Sequence, residues 1–164
     1  MIQVRPARPE EYEEAGSVTA LAYREFARPG DPDWEGYLAR IADVRGRAER
    51  TTVLIAVRDG RIVGSATLEL EARVGDEGDP LAPDEAHVRM LGVHPEARRS
   101  GVATKLIEAC IERARAAGKT RLTLHTTPRM RAAQAMYERL GFRRLPDRVF
   151  PDGFVLLTYE RAIG

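Results

Sequence analysis

Apolar positions at Tyr12, Ala15, Val18, Ala22 and Phe26 recur at helical spacing and predict a first helix ending near Ala27. Pro9 stands where helices begin, and Glu10 and Glu11 put negative charge at that end. A short alternation from Ile2 to Arg5 precedes it as a strand. Pro29-Gly30-Asp31-Pro32 breaks the pattern, and Asp33 is placed to cap a second helix with Trp34, Tyr37, Leu38, Ile41 and Val44 on one side. From Thr51 the period falls to two. Thr52 to Val57, the turn Asp59-Gly60 and Ile62 to Leu70 predict a hairpin.

Gly75 to Pro83 reads as a polar loop, and Ala86 to Val93 alternates as a strand. Val102, Leu106 and Cys110, with Ala103, Ile107 and Ile111, mark the buried stripes of a third helix that Ala117-Gly118 closes. Arg121 to His125 is a strand, Pro128 to Leu140 a fourth helix, and Asp152-Gly153 a turn between Val149-Phe150 and a final strand from Phe154 to Tyr159. The resulting fold class is α/β: a mixed, mainly antiparallel seven-stranded sheet with about four helices on its faces. Its one strand–helix–strand passage requires a central parallel pair, Ala86–Val93 beside Arg121–His125, with a right-handed crossover.

Composition narrows the class without naming a function. At 164 residues the chain has the length of one domain, expected to run over residues 1–164. Lys and Arg total 26 against 25 Asp and Glu, a balance that argues against a phosphate-tracking nucleic-acid binder. A single cysteine and three histidines fit no metal-ligand spacing, so no metal is expected. With no apolar leader and no membrane-length run, the expectation is a cytoplasmic protein that does not engage a membrane.

The most informative stretch is Leu91-Gly92-Val93-His94-Pro95-Glu96-Ala97-Arg98-Arg99-Ser100-Gly101-Val102-Ala103-Thr104, a strand feeding a basic loop that becomes a helix. Helix N-termini leave about four backbone N–H groups without partners and carry partial positive charge. Arg98 and Arg99 add formal charge, and Gly101 with Ala103 allows close approach to the backbone, which suits a phosphate or pyrophosphate. Taken alone, the same residues also read as solvated loop charges around a turn.

In that context Arg98-x-x-Gly101-x-Ala103 resembles the acyl-CoA loop of the GNAT N-acetyltransferase superfamily. Ala133-Gln134-Ala135-Met136-Tyr137-Glu138-Arg139-Leu140-Gly141-Phe142 is similar to a second segment of that family. The resemblance implies acetyl-CoA as co-substrate. Its pyrophosphate would lie on the N–H groups of Arg99, Ser100, Gly101, Val102, Ala103 and Thr104, and its pantetheine arm along the backbone of Leu91, Gly92 and Val93. It also implies that Tyr137 protonates the departing thiolate; the residues alone leave a packing tyrosine beside Gly141-Phe142 as the alternative. Met130 stands where many relatives carry asparagine, so an amide contact to CoA is replaced by a thioether beside Ala133.

The acceptor must lose a proton, and alternation puts Glu85, His87 and Arg89 on one face, in phase with Leu91 and Val93. His87 falls where some relatives place a glutamate base, and an imidazole is matched to that task near neutral pH; a structural histidine is the alternative, and Glu85 stands behind it as candidate base. Tyr23, Phe26, Trp34 and Tyr37 occupy the stretch that walls the acceptor site in the family, and also read as core. Asp31, Asp33, Asp76, Glu77, Asp79 and Asp84 would attract a cationic amine or simply be solvated. The expected activity is acetyl transfer to a primary amine of a small molecule, by direct attack in a ternary complex. A protein or peptide acetyltransferase and a non-catalytic acyl-CoA-binding module are the alternatives, and a homodimer is compatible with either.

Overall fold

A computed structural model describes residues 1–26, 33–71 and 80–164. The expected helix end at Ala27, the break from Pro29 to Pro32 and the acidic residues Asp31, Asp76, Glu77 and Asp79 lie outside them. The strands are β1 (Ile2–Pro6), β2 (Thr52–Arg58), β3 (Arg61–Glu69), β4 (Glu85–Val93), β5 (Arg121–Thr126), β6 (Arg143–Arg144), β7 (Arg148–Val149) and β8 (Val155–Ala162). The helices are α1 (Tyr12–Arg24), α2 (Trp34–Ala42), α3 (Val44–Ala48), α4 (Val102–Ala116) and α5 (Arg131–Arg139).

The sheet runs β1-β2-β3-β4-β5-β8-β6, with β7 on β8; the β4–β5 pair is parallel and every other pair antiparallel. The mixed α/β architecture and its central parallel pair match the sequence expectation. Among the described residues eight strands replace seven because Arg143-Arg144 also pairs with β8. Among the same residues five helices replace four because Asp43 breaks the second one: its φ/ψ of −82°/69° leaves the helical region, and its side chain accepts from the Gly46 N–H at the start of α3. The last helix starts at Arg131, three residues later than Pro128 suggested, after a turn closed by Met130 N–H on the Thr127 carbonyl.

Each face of the sheet has its own apolar layer. Leu54, Ala66, Leu68, Val88, Leu122, Leu124 and Tyr159 pack under α4 and α5 through Leu106, Ile107, Cys110, Tyr137 and Phe142. On the other face, Val53, Ile55 and Ile62 meet Ala15, Val18 and Val44, while Leu38, Ile41 and Ala20 gather Tyr23, Trp34, Tyr37 and Met90 around them. Those aromatics are therefore part of the layer under α1 and α2. At Gly16 a Cβ would stand 2.0 Å from the Ala42 carbonyl oxygen, so only glycine lets α1 and α2 meet there.

Glu11 ties β1 to the start of α1. Arg5 donates to both its carboxylate oxygens at 2.7 and 2.8 Å, and the Arg8 N–H to one of them at 2.9 Å. The Arg5 bond, helped by the Arg8 N–H, pulls the Glu11 pKa down to about 2. A carboxyl held below its unfolded value stabilises the fold above that unfolded value, and the contribution disappears as pH falls towards about 2. Glu11→Gln is therefore expected to flatten the loss of Tm between pH 5 and pH 2. Parallel Tm–pH curves for the two proteins would show that the pair contributes nothing.

Candidate active site

The parallel ladder between β4 and β5 runs from Glu85↔Arg121 to Val88↔Leu124 and stops. Beyond it β4 continues to Val93 on β3 alone, and β5 continues through His125 and Thr126 on β8 alone. The two central strands thus part in the middle of the sheet, and among the described residues no strand pairs with the Arg89–Val93 edge on its β5 side. An extended amide chain can pair with such an edge.

At the same level β4 carries a bulge. Ser65 pairs with Gly92 and Thr67 with Arg89, so Met90 and Leu91 together oppose Ala66. Met90 has φ 51°, the left-handed region that a side chain rarely adopts. The extra residue resets the alternation. Ala86 and Val88 face α4 and α5, as do Leu91 and Val93, whereas Met90 packs with the α2 cluster. A Cβ at Gly92 would meet Ala22 and Thr19 of α1. This corrects the phase read from sequence: His87 lies on the face opposite Leu91 and Val93, because simple alternation fails across a bulge.

On the α1 and α2 face, a polar cluster lies beneath the helices. His87 is only 2% exposed and Glu85 4%. His87 Nδ1 lies 2.8 Å from Thr123 Oγ1, and Thr123 donates to Glu85 Oε2 at 2.5 Å. Glu85 Oε1 accepts from the Ala82 N–H at 3.1 Å and lies 3.6 Å from the Arg121 guanidinium. The His125 ring sits 4.6 Å from the His87 ring, just past the point where the strands part. Arg89, alongside, is 3.9 Å from the buried carboxylate of Glu69.

At the other end of the opening, α4 begins at Gly101, whose φ of 83° is another left-handed position. No side chain caps this end and no acidic residue sits in its first turn. The first backbone N–H to bond back is that of Lys105, to the Gly101 carbonyl at 3.1 Å, so the N–H groups of Val102, Ala103 and Thr104 point out of the helix end. Nothing lies within 4 Å of a Cβ built at Gly101. Two neighbours are already committed. Arg98 is held by Glu25, the residue that ends α1, at 2.5 Å and by the Ala22 carbonyl on α1 at 3.3 Å, and Ser100 bridges the Ala97 carbonyl and Arg58. Of the two arginines that the sequence placed at this anion site, only Arg99 is not tied back to α1.

Tyr137 of α5 is 5% exposed, wedged between the rings of Tyr159 at 5.7 Å and Phe142 at 6.0 Å. Burial, then the neighbouring Tyr159, pushes its pKa well above the usual tyrosine value, which keeps the phenol protonated throughout the working range. Met130 stands at the N-cap of α5 and offers no side-chain cap, while Gln134 holds the preceding turn through the Thr127 and Pro128 carbonyls. Ala133, half-buried, packs against the apolar layer beside Tyr137. No group of three or more metal-ligating side chains occurs among the described residues, and none of their helices is long and apolar enough to cross a membrane.

The model of the acetyltransferase (GNAT) family matches residues 13–142, from α1 through the Gly141-Phe142 stop. The chain belongs to the GNAT family. It is 30% identical over 104 residues to "Probable N-acetyltransferase camello" of Xenopus tropicalis, covering 63% of this chain and 44% of that protein. It is 33% identical over 93 residues to the mycothiol acetyltransferase of Mycobacterium marinum, 49% of this chain and 28% of that one. The chain therefore spans less than half the length of these curated relatives. Among solved GNAT folds, an acetyltransferase of the family from Staphylococcus aureus superposes with a TM-score of 0.74 at 18% identity, over all of both chains. The yncA protein of Salmonella typhimurium, solved with its cofactor acetyl-CoA, superposes with a TM-score of 0.68 at 18% identity, over 99% of this chain and 94% of that one.

In this GNAT chain the sequence reading missed Thr123 and His125. The signal was present: Arg121, Thr123 and His125 alternate along the strand. What was missing is the register that sets Thr123 against His87.

Proposed function

We propose that the chain, acting as one domain over residues 1–164, transfers an acetyl group from acetyl-CoA to the primary amine of a small molecule in the cytoplasm. The observation that carries this reading is the parting of β4 and β5 between an uncapped helix N-terminus and a buried tyrosine. Acetyl-CoA supplies an activated thioester. The outward N–H groups of Val102, Ala103 and Thr104, with those of Arg99 to Gly101, suit its pyrophosphate, and the open edge of Leu91, Gly92 and Val93 suits its pantetheine amides. A backbone N–H on that edge would polarise the thioester carbonyl. Tyr137, protonated by virtue of its burial, is the proton donor for the departing thiolate.

The amine attacks directly, within a ternary complex, and gives up its proton on the α1 and α2 face. His87 is the base, reaching the amine directly or through water; His125, half-buried at the parting of the strands, borders that path. The carboxylates of Glu69 and Glu85 on this face favour a cationic acceptor.

Incubation with acetyl-CoA and a panel of small amines and peptides, following free thiol, tests the reading. Amine-dependent release with small amines is expected. Turnover with peptides alone would shift the acceptor to protein, and acetyl-CoA binding without any turnover would make the chain a binding module. With an accepted amine in hand, kcat/KM is expected to fall on the acid side as His87 is protonated, and His87→Ala to lose that limb together with about 10²-fold or more in rate. An unchanged acid limb in the variant would exclude His87.

A further inference from the structure

The Glu85–Thr123–His87 chain spans the first and third rungs of the parallel ladder from the β4 start, and on the third His87 stands directly opposite Thr123. A threonine hydroxyl has one hydrogen and two lone pairs. That hydrogen has three acceptors in reach: Glu85 Oε2 at 2.5 Å, His87 Nδ1 at 2.8 Å when that nitrogen carries no hydrogen, and the Ala86 carbonyl at 3.4 Å. The carboxylate is the nearest of the three and is an acceptor only, whereas the imidazole nitrogen can donate instead, so the hydrogen goes to Glu85. What Thr123 then offers His87 is a lone pair, and the contact at 2.8 Å is a hydrogen bond only if Nδ1 carries a hydrogen.

We infer that Thr123, oriented by Glu85, is the positioning residue that fixes neutral His87 as its Nδ1–H tautomer, leaving Nε2 as the nitrogen able to take the acceptor's proton. This rests on the proposed role of His87 as base and names what prepares it. In the transfer the proton leaves the amine nitrogen and binds Nε2, while Nδ1–H stays on Thr123 throughout. The imidazolium so formed keeps its hydrogen bond, and Glu85 lies one hydroxyl away to offset the charge. Among the described residues, the groups facing His87 include Glu85 and Arg89 on its own strand, Glu69 directly opposite on β3, and Thr123 with His125 on β5. Of these, Thr123 is the one bonded at Nδ1. Glu85, a candidate base by sequence, acts here through Thr123, since its two oxygens already accept from Thr123 and the Ala82 N–H.

The test is long-range ¹⁵N–¹H correlation on the full ¹⁵N-labelled chain, above the pH at which His87 protonates, with His87→Gln assigning the signals. The neutral His87 is expected to show the pattern of an Nδ1–H ring. Thr123→Val, close in shape but without the hydroxyl, is expected to lower the Nδ1–H fraction several-fold and kcat about 10-fold, with acetyl-CoA affinity unchanged. Thr123→Ser should restore both. A wild-type spectrum of the Nε2–H form would overturn the inference, as would a Thr123→Val spectrum that keeps the wild-type pattern. Should Thr123→Val fail to fold, the wild-type spectrum alone decides. The tautomer is read without turnover, so its outcome is separate from the His87→Ala profile that decides whether His87 is the base.

Discussion

Gly101→Glu is expected to weaken acetyl-CoA binding by about 100-fold or more while the protein stays folded. The space beyond the Gly101 Cα is open, so the side chain meets no protein atom within 4 Å of its Cβ. Its carboxylate would stand at an uncapped helix end whose outward N–H groups and dipole suit the anion proposed to bind there. The φ of 83° makes any side chain at this position strained by about 1–2 kcal/mol, and Gly101→Ala carries that strain without the charge. Titration calorimetry on both folded variants separates the two effects. The alanine protein should lose some stability and retain most of its affinity, and a glutamate protein that binds as the wild type does would remove the anion cradle from this helix.

Tyr137→Phe is expected to lower kcat by about 10²-fold or more and to leave acetyl-CoA affinity nearly unchanged. The phenylalanine keeps the ring between Tyr159 and Phe142, so the packing of the α5 side survives. Only the proton is lost. Because burial holds the Tyr137 pKa well above the usual range, its ionisation should leave no alkaline limb in the wild-type kcat profile below pH 10. Single-turnover thiol release measures the step directly, and a kcat within a factor of two of wild type would make Tyr137 a packing residue.

The sheet, its central parallel pair and the α4 start were all legible because each is written in local signals: alternation, a helical stripe, a glycine before a helix. The family segments around Gly101 and Tyr137 were legible for the same reason. Three features were not. The break at Asp43 looks like any polar helix position until its side chain turns to cap α3. Arg98 is a loop charge in the sequence, and only the approach of α1 shows that Glu25 already holds it. The Met90 bulge leaves no sequence mark, since methionine is not a residue that favours positive φ. Missing it put His87 on the wrong side, and missing the register hid Thr123, so long-range pairing is where sequence reasoning stopped.

The bulge also divides labour along one strand. Ahead of Met90, the outward positions of β4 on the α1 side belong to His87 and Arg89; past it, the same side receives only Gly92, against which α1 sits flush. The opposite side gains Leu91 and Val93 in exchange. A single inserted residue thus works as a phase shifter, giving the proposed base and the proposed acetyl-CoA edge separate rooms on either side of a sheet one backbone thick. Were the strand regular with Met90 kept in line, His87 and Leu91, four positions apart, would share a face and the two rooms would merge, whereas deleting Met90 leaves them three apart and still on opposite faces.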